Sequence, residues 1–371
     1  MNRLALHELH QEFGAQFTSV NGAEVVAHYG DAAAELAALR NTVGVLDLSC
    51  RSRLCLTGAD RVKFLHGQVT NDVQRLRVGE GCYAAIVSAK GRMHSDLNIY
   101  RLADELLLDF EPGYSPAVIE RLEKFIITDD VQVLDAAPHY GLLTVLGPRA
   151  AEAVTQLGLS WALPEQPLAL SAHADTTLGQ LYLMRREGAW SPLLTRAPDA
   201  TAGAGKSPAL GFDLFVPTAS LGAVFDKLVA AAKSLGGLAC GWQALETARI
   251  TAGIPRFGQD MDENTLPPEA GLEARAISYA KGCYIGQEVI ARIRTYGQVA
   301  KTLRGLRLPA DLAPLHARGD KLFADGKEVG QLTSVIPGRA LGYVRKDHNA
   351  PGTQLTLRTA AGDCTATVVQ P

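Results

Sequence analysis

The chain has 371 residues, of which 47% are hydrophobic and 20% are charged, and its formal net charge at pH 7 is −3. This length exceeds that of one small module and predicts two to three domains with a sizeable core. The near-neutral charge excludes a global basic field, so we expect no nucleic-acid partner. No apolar run reaches the roughly 18 residues of a membrane span, and residues 1–16 lack a signal-peptide core. The sequence therefore predicts a cytosolic protein without a membrane partner.

In the first part of the chain, helix and strand patterns are mixed without a regular βαβ repeat. Residues 31–41 are rich in strong helix formers, and Asp31 stands where it could cap the first turn. A further short helix is predicted at 60–65. Apolar and β-branched runs predict strands at 43–48, 52–56, 84–87 and 96–101.

The middle of the chain contains a helical pattern at 116–125 and then two units in which a strand precedes a helix. An Ala/Gly/Ser/Pro-rich stretch at 198–208 predicts an exposed loop. The two units comprise a strand at 142–146 with a helix at 149–156, and a strand at 211–217 with a helix at 222–235.

The sequence pattern changes beyond Arg294, where short strand patterns alternate with turns rich in Gly, Asp and Asn. This spacing predicts a small antiparallel barrel. Its predicted strands cover residues 303–308, 321–323, 328–334, 340–344, 354–358 and 365–369.

Residues 281–288, with the sequence KGCYIGQE, place a thiol on a glycine-hinged turn where an apolar helical pattern begins. Amides at the start of that helix would favour a thiolate at Cys283, and Lys281, Arg292 and Arg294 could add positive charge nearby. A thiolate is the form that acts as a nucleophile or a soft metal ligand. The alternative is a small buried hydrophobe on a tight turn.

The other five cysteines are scattered and form no CxxC pair, which argues against a disulfide framework or a structural zinc site. We interpret them as structural thiols: Cys50, Cys55, Cys82, Cys240 and Cys364. A metal site built from His66, His94 and Cys283 is a weaker hypothesis, because their separations follow no known ligand spacing. We therefore expect no bound metal.

The octapeptide resembles the K-G-C-Y-x-G-Q-E motif of the YgfZ family, folate-binding proteins related to the glycine-cleavage T-protein, an aminomethyltransferase. Around Cys283, the matching residues are Lys281, Gly282, Tyr284, Gly286, Gln287 and Glu288. The likeness extends over most of the chain, although residues 150–205 match no segment of these families. The other similar segments are 28–31, 41–49, 64–73, 90–93, 241–253, 257–260 and 266–269.

This resemblance implies an α+β fold, with a folate-binding body of two interlocked domains, a C-terminal antiparallel β-barrel, and the three domains arranged in a ring. It assigns residues 1–280 to the folate-binding region, with divisions near 50 and 135. The cysteine motif and the barrel then occupy residues 281–371.

The resemblance also implies tetrahydrofolate, or a one-carbon derivative of it, as the cofactor. A pterin presents an edge of hydrogen-bond donors and the glutamate tail is anionic, so the pocket needs a buried carboxylate and cations at its mouth. Residues 211–217 resemble the T-protein strand whose carboxylate faces the pterin, which puts Asp213 in that place with one methylene fewer than Glu. The alternative is an Asp turned outward on an edge strand. Arg249 matches an arginine that could pair with the folate tail or hold the domains together.

Asp96 is a second catalytic candidate beside Cys283. T-proteins carry paired aspartates in a G-G-x-x-D-D-L stretch, one of which helps to activate folate N5, and residues 91–97 keep only the second. One carboxylate can still accept a hydrogen bond or a proton, whereas Ser95 cannot replace the other as a base. Tyr284 could stack on a ring, but core packing is the better interpretation.

Three functions stay open at this point. The favoured one is a tetrahydrofolate-binding factor that supports assembly or repair of iron-sulfur clusters in client enzymes through the Cys283 thiol, with client or assembly proteins as partners. The second is a T-protein-like aminomethyltransferase, a tetrahydrofolate-dependent transferase that relies on acid-base carboxylates. The third is a folate-binding scaffold without chemistry, for which Cys283 would be dispensable.

Overall fold

The structure is a computed structural model that describes residues 2–186, 210–297, 299–309, 318–359 and 362–369. Backbone contacts divide the chain into two units, each of which is discontinuous in sequence. Unit 1 comprises residues 1–65, 73–83 and 97–248, and unit 2 comprises residues 66–72, 84–96 and 249–371. The divisions predicted near 50, 135 and 280 stay predictions. The predicted loop at 198–208 lies outside the described residues.

One of the described helices begins at the capping residue that the sequence predicts. The Asp31 carboxylate accepts hydrogen bonds from the amides of Ala33 and Ala34, at 2.9 and 3.0 Å, and so caps the helix as predicted. The α-helices are α1 His7–Glu12, α2 Ala32–Asn41, α3 Arg61–Gln68, α4 Ser115–Glu123, α5 Ala150–Thr155, α6 Leu221–Ser234, α7 Trp242–Ala252, α8 Glu273–Ala276 and α9 Gln287–Tyr296.

The described strands form a hairpin, two open sheets and a closed barrel. The strands are β1 Gln16–Val20, β2 Ala23–His28, β3 Gly44–Asp47, β4 Ser52–Thr57, β5 Gly81–Val87, β6 Met93–Arg101, β7 Leu106–Phe110, β8 Gln132–Asp135, β9 Tyr140–Gly147, β10 Leu170–Asp175, β11 Gly179–Arg185, β12 Leu210–Pro217, β13 Leu238–Ala239, β14 Lys301–Arg307, β15 Lys321–Ala324, β16 Lys327–Ile336, β17 Arg339–Arg345, β18 Gln354–Thr359 and β19 Gly362–Val369.

The largest open sheet belongs to unit 1 and has the strand order β10-β11-β12-β9-β3-β13. Its pairs are antiparallel except for β13 with β3, which is parallel. Alternate residues of β12, namely Phe212, Leu214 and Val216, pack into a core that also buries apolar residues of α5 and α6. Asp213 and Phe215 consequently point to the other face of the sheet.

The second open sheet has five strands in the order β5-β6-β7-β4-β8. Its pairs β4–β7, β4–β8 and β6–β7 are antiparallel. Along β6, buried Met93, Ser95 and Leu97 alternate with half-buried residues, as expected for a strand whose two faces differ. Asp96 therefore projects from the face opposite to these buried neighbours.

The C-terminal strands close into an antiparallel barrel in the order β14-β17-β16-β15-β18-β19, with β19 paired back to β14. Its interior is filled by Leu306, Leu322, Val344, Leu357 and other apolar residues that are buried. Closure leaves no free sheet edge in these strands, which stabilises a small barrel. The predicted α+β class and C-terminal antiparallel β-barrel are thus confirmed.

Helix length and composition also bear on membrane insertion. Among the helices that the structure describes, none is both long and apolar enough to span a bilayer.

Candidate functional site

The first six residues of the cysteine motif, 281–286, lie on a loop of unit 2, residues 278–286, which we call the cysteine loop, and Gln287 and Glu288 open α9. The loop ends at Gly286, which has a φ angle of +83° and immediately precedes α9. A Cβ at this position would collide with the Ser88 carbonyl oxygen, so both conformation and space require glycine. Gly91, at φ +71°, packs from the neighbouring turn, where an added Cβ would lie 3.2 Å from Val289 Cγ1. These two glycines fix where the helix begins.

Lys281 anchors the cysteine loop from inside. It is buried, and its Nζ donates to the carbonyl oxygens of His66 and Val69 at 2.5 and 2.6 Å. The first of these carbonyls belongs to the last turn of α3, where a cation is favourable. Nζ also lies 4.8 Å from the ring centroid of Tyr284, which is buried as well. These contacts of Lys281 therefore hold the loop in place, and its predicted effect on the thiol stays a prediction.

All six cysteines lie in the described ranges, and Cys283 alone among them is exposed. Burial raises the pKa of the Cys50 thiol to about 12. Burial likewise raises the pKa values of Cys55, Cys240 and Cys364, so these thiols stay protonated. Exposure therefore separates Cys283 from the other thiols in the way that a reacting group requires.

The amides of the cysteine loop are partly engaged by carbonyl oxygens. Ile285 donates its N–H to Gly67 and Gln287 donates its N–H to Tyr284, both at 3.2 Å. The expectation that amides at the start of α9 favour a thiolate at Cys283 is therefore wrong for the Ile285 amide, which a carbonyl oxygen already engages. Local sequence identifies the turn but not these bonds, because one of them joins residues far apart in the chain.

The ring of His66 lies beneath this loop. Its Nε2 is 3.7 Å from the point where a Cβ on Gly282 would stand, and its Nδ1 is 3.4 Å from Asp72 Oδ1. Burial lowers the pKa of His66, and the positive charge of Lys281 lowers it further against the opposing effect of Asp72. The imidazole is therefore neutral near pH 7. Across the described ranges, no three His, Cys, Asp or Glu side chains converge as metal ligands.

Asp213 lies in unit 1 on β12, an inner strand, and is only 4% exposed. The alternative of an outward-facing Asp on an edge strand is therefore wrong. Its Oδ1 accepts hydrogen bonds from Thr144 Oγ1 at 2.5 Å and from Arg186 Nη1 at 2.6 Å. The buried ring of Tyr100 lies near, since burial and then the Asp213 charge raise the pKa of Tyr100 well above its ordinary value. Phe215 lies edge-on to Tyr100, with ring centroids 6.3 Å apart.

Sequence reasoning missed Arg186, which lies in a stretch where the sequence analysis found no family motif. The sequence carried a signal for this residue, because two arginines, Arg185 and Arg186, stand where the mostly apolar pattern of β11 ends. A cation that follows an apolar strand at a sheet interior calls for a buried anion as its partner.

Asp96 is half-buried on β6 in unit 2, and its catalytic role stays a prediction.

Sequence reasoning also missed a charged group in unit 1. Arg51 donates through Nε to Asp109 Oδ1 at 2.8 Å and through Nη1 to Glu111 Oε1 at 2.6 Å. Asn98 donates to Asp109 Oδ2 at 3.1 Å, which completes a hydrogen-bonded polar cluster.

Arg249 lies in α7, within unit 2, and is only 3% exposed. Its Nη1 pairs with Asp260 Oδ2 at 2.7 Å, and its Nη2 donates to Ser334 Oγ on β16 at 2.8 Å. These contacts favour a structural role over a bond to the folate tail. The assignment to folate binding stays a prediction.

Two family models match this chain. The GCVT N-terminal domain matches residues 6–184 and 205–281, and the CAF17 C-terminal beta-barrel domain matches residues 304–371. The first match covers more than half of the chain. It includes residues 150–184, so the expectation that residues 150–205 match no family segment is wrong for that part. The second covers the strands of the closed barrel from residue 304 onward.

Relatives and solved structures agree with these matches. An aminomethyltransferase of Corynebacterium jeikeium is 30% identical, over 92% of this chain and 87% of its own. A putative chloroplastic transferase of Arabidopsis thaliana is also 30% identical, over 87% of this chain and 70% of its own. The crystal structure of aminomethyltransferase T from Bartonella henselae superposes with a TM-score of 0.83 at 22% identity, covering 100% of this chain and 97% of that one, which shows the fold. The chain therefore belongs to the T-protein (aminomethyltransferase) superfamily, as a member that joins a GCVT N-terminal domain to a CAF17-type β-barrel.

Proposed function

We propose that this chain is a YgfZ-like tetrahydrofolate-binding factor that supports assembly or repair of iron-sulfur clusters in client enzymes. The reacting group is the thiol of Cys283. The observation that carries the proposal is the exposure of this thiol on a loop whose backbone is held by Lys281 and by the left-handed Gly286. A thiol presented in this way can ligate iron or carry an adduct, whereas a structural cysteine would be covered.

Two further features support this choice within the superfamily. The octapeptide 281–288 matches the YgfZ motif at every specified position. The barrel matches the CAF17 model, whose family is linked to iron-sulfur proteins. A cytosolic location and client or assembly proteins as partners belong to the same proposal.

The residues around Asp213 fit a reduced folate. A pterin edge that donates hydrogen bonds needs a buried acceptor, and the Asp213 carboxylate accepts from Thr144 and Arg186 through Oδ1 alone. The buried aromatic rings of Tyr100 and Phe215 lie on the same side of β12 as Asp213 and make the surroundings of its carboxylate apolar, as a flat ring system prefers. Bound tetrahydrofolate would supply N5 as the carrier of a one-carbon unit.

A T-protein-like aminomethyltransferase is the second candidate. The retained carboxylate of Asp96 favours it, and so do the relatives that bear this name. One-carbon transfer would then depend on Asp96 as hydrogen-bond or proton acceptor and not on the thiol. A scaffold that only binds folate would need neither residue.

The test is complementation in cells that lack this protein. The natural chain, Cys283→Ser and the matched control Cys364→Ser are restored at equal abundance, and the activities of several [4Fe-4S] enzymes are measured. Cys364 is a suitable control because it is a partly buried thiol on β19 of the barrel. We expect the natural chain and the control to restore activity and Cys283→Ser to fail.

Other outcomes separate the alternatives. Equal rescue by Cys283→Ser would contradict the role of the thiol and would favour the folate scaffold as the function. If the cells show no defect in iron-sulfur enzymes, the proposal fails, and aminomethyl transfer to tetrahydrofolate by the natural chain and by Asp96→Asn becomes the decisive assay.

A further inference from the structure

The Asp213 carboxylate is held asymmetrically. Its hydrogen bonds from Thr144 Oγ1 and Arg186 Nη1 both go to Oδ1. Thr144 is fully buried and lies directly opposite Asp213 in the β9–β12 register. Arg186 Nη1 also reaches Thr144 Oγ1 at 3.3 Å, so the three groups form a closed triangle. Oδ2 accepts no hydrogen bond from the part of the chain that the structure describes.

Burial makes the positive charge in this triangle necessary. The Asp213 side chain is 6% exposed and that of Arg186 14%, so water contributes little to the stability of the anion. A buried carboxylate without a partner is costly, because its charge loses hydration that an apolar interior does not replace. The Arg186 guanidinium supplies the opposite charge through a charge-assisted hydrogen bond to Oδ1.

We propose that Arg186 is a positioning residue for reduced-folate binding, which pairs with the buried Asp213 carboxylate and occupies Oδ1 so that Oδ2 accepts from the donor edge of the pterin. This role rests on the folate site proposed above and deepens it. Arg186 acts through Asp213 and makes no contact of its own with the pterin. Its guanidinium stays paired with the carboxylate when the folate binds.

The test is the affinity for 5-formyltetrahydrofolate, a chemically stable reduced folate, measured by isothermal titration calorimetry on the full chain. We expect Arg186→Gln to weaken binding about tenfold or more, the size of a lost hydrogen bond to a charged group. Arg186→Lys keeps the charge and should recover most of that loss. The matched control is Arg185→Gln, since Arg185 is the adjacent residue of the chain and donates instead to the Glu165 carbonyl oxygen.

A double-mutant cycle distinguishes action through Asp213 from a general structural effect. Asp213→Asn alone should weaken binding at least as much as Arg186→Gln, and the double variant should bind no more weakly than Asp213→Asn. The double variant also avoids leaving a buried carboxylate without its cation, so it tests the proposal even if Arg186→Gln folds poorly. Circular dichroism of each variant checks the fold.

Two results would overturn the proposal and can be told apart. If the natural chain binds the reduced folate and Arg186→Gln binds it equally well or more tightly, Arg186 competes with the pterin or is irrelevant to it. If the natural chain does not bind reduced folate at all, the proposed folate site fails, and the role of Arg186 fails with it.

Discussion

The imidazole of His66 lies beneath the cysteine loop in a setting that disfavours its charged form. It is 7% exposed, and burial together with the nearby ammonium of Lys281 lowers its pKa below the ordinary value. In the unfolded chain the same histidine titrates near 6.5. Folding therefore holds His66 neutral at a pH at which the unfolded chain has begun to bind a proton.

This difference gives the stability of the protein a definite pH dependence. Because the folded pKa is the lower one, stability falls as the pH drops below about 6.5, where the unfolded state binds more protons. We expect the melting temperature to drop more for the natural chain than for His66→Gln between pH 7.5 and 5.5. His139→Gln is the matched control, since His139 is exposed. Equal drops in the natural chain and in His66→Gln would show that His66 carries no such penalty.

At the level of single residues, local chemistry could be predicted and distant partners could not. Cys283 and its flanking glycines stand out because turn conformation and helix starts are encoded locally. The bonds of Lys281 to His66 and Val69 join residues more than two hundred positions apart. No spacing rule connects such residues, so the role of Lys281 as an anchor is visible only in the structure.

Among the elements, α2 depends on a single polar side chain at its start. The Asp31 carboxylate receives two amide hydrogen bonds, and the negative charge also suits the helix N-terminus. Leu39 and Ala38 bury the inner face of this helix. A weaker cap should therefore loosen a helix that contributes to the core of unit 1.

Replacing the cap tests this dependence. We expect Asp31→Ala to lower the free energy of unfolding by about 1 kcal/mol, the usual cost of losing a capping oxygen. Asp31→Asn keeps that oxygen and should lose much less, which makes it the matched control. Urea unfolding followed by tryptophan fluorescence measures both, since Trp161 and Trp242 lie in unit 1. A loss in Asp31→Asn as large as in Asp31→Ala would mean that the charge, not the capping bond, matters.

Most elements were predictable where one pattern dominated a segment. The strands at 142–146 and 211–217 are apolar runs and appear as β9 and β12 with slightly wider bounds. The β1–β2 hairpin was missed although Asn21 and Gly22 both adopt positive φ angles, 49° and 80°, and Asn-Gly is a strong hairpin signal. The sequence therefore carried a usable signal for the β1–β2 hairpin. The alternation in β10, by contrast, is too weak to reveal a strand.

For the molecule as a whole, contiguous parts were predictable and interleaved ones were not. All six barrel strands follow one another in sequence, so their turns and alternation predict the barrel. Residues 66–72 and 84–96 belong to unit 2, although most of that unit begins at Arg249. Such a division depends on contacts between distant segments, which composition and periodicity do not encode.

Within unit 2, a buried ionic cluster links Arg249, in the last turn of α7, to the barrel. Asp260 pairs with Arg249 and also accepts from Thr333 Oγ1 at 2.5 Å and from Ser334 Oγ at 2.7 Å. Both hydroxyls belong to β16, so one carboxylate holds a helix and a strand together. The Arg249 and Asp260 side chains are only 4% and 0% exposed, and removal of one partner would therefore leave a buried charge without compensation.

We expect Arg249→Met to destabilise unit 2 by about 3 to 5 kcal/mol, the range for breaking one side of a buried ion pair. The matched control is Arg249→Met combined with Asp260→Asn, which removes the stranded charge and should be no less stable than the single variant. Hydrogen exchange of the β16 amides reports the loss locally, because these amides exchange faster when the link to α7 weakens. If Arg249→Met instead kept full protection of β16 and lost affinity for reduced folate, the arginine would serve the folate tail, the alternative that its sequence position left open.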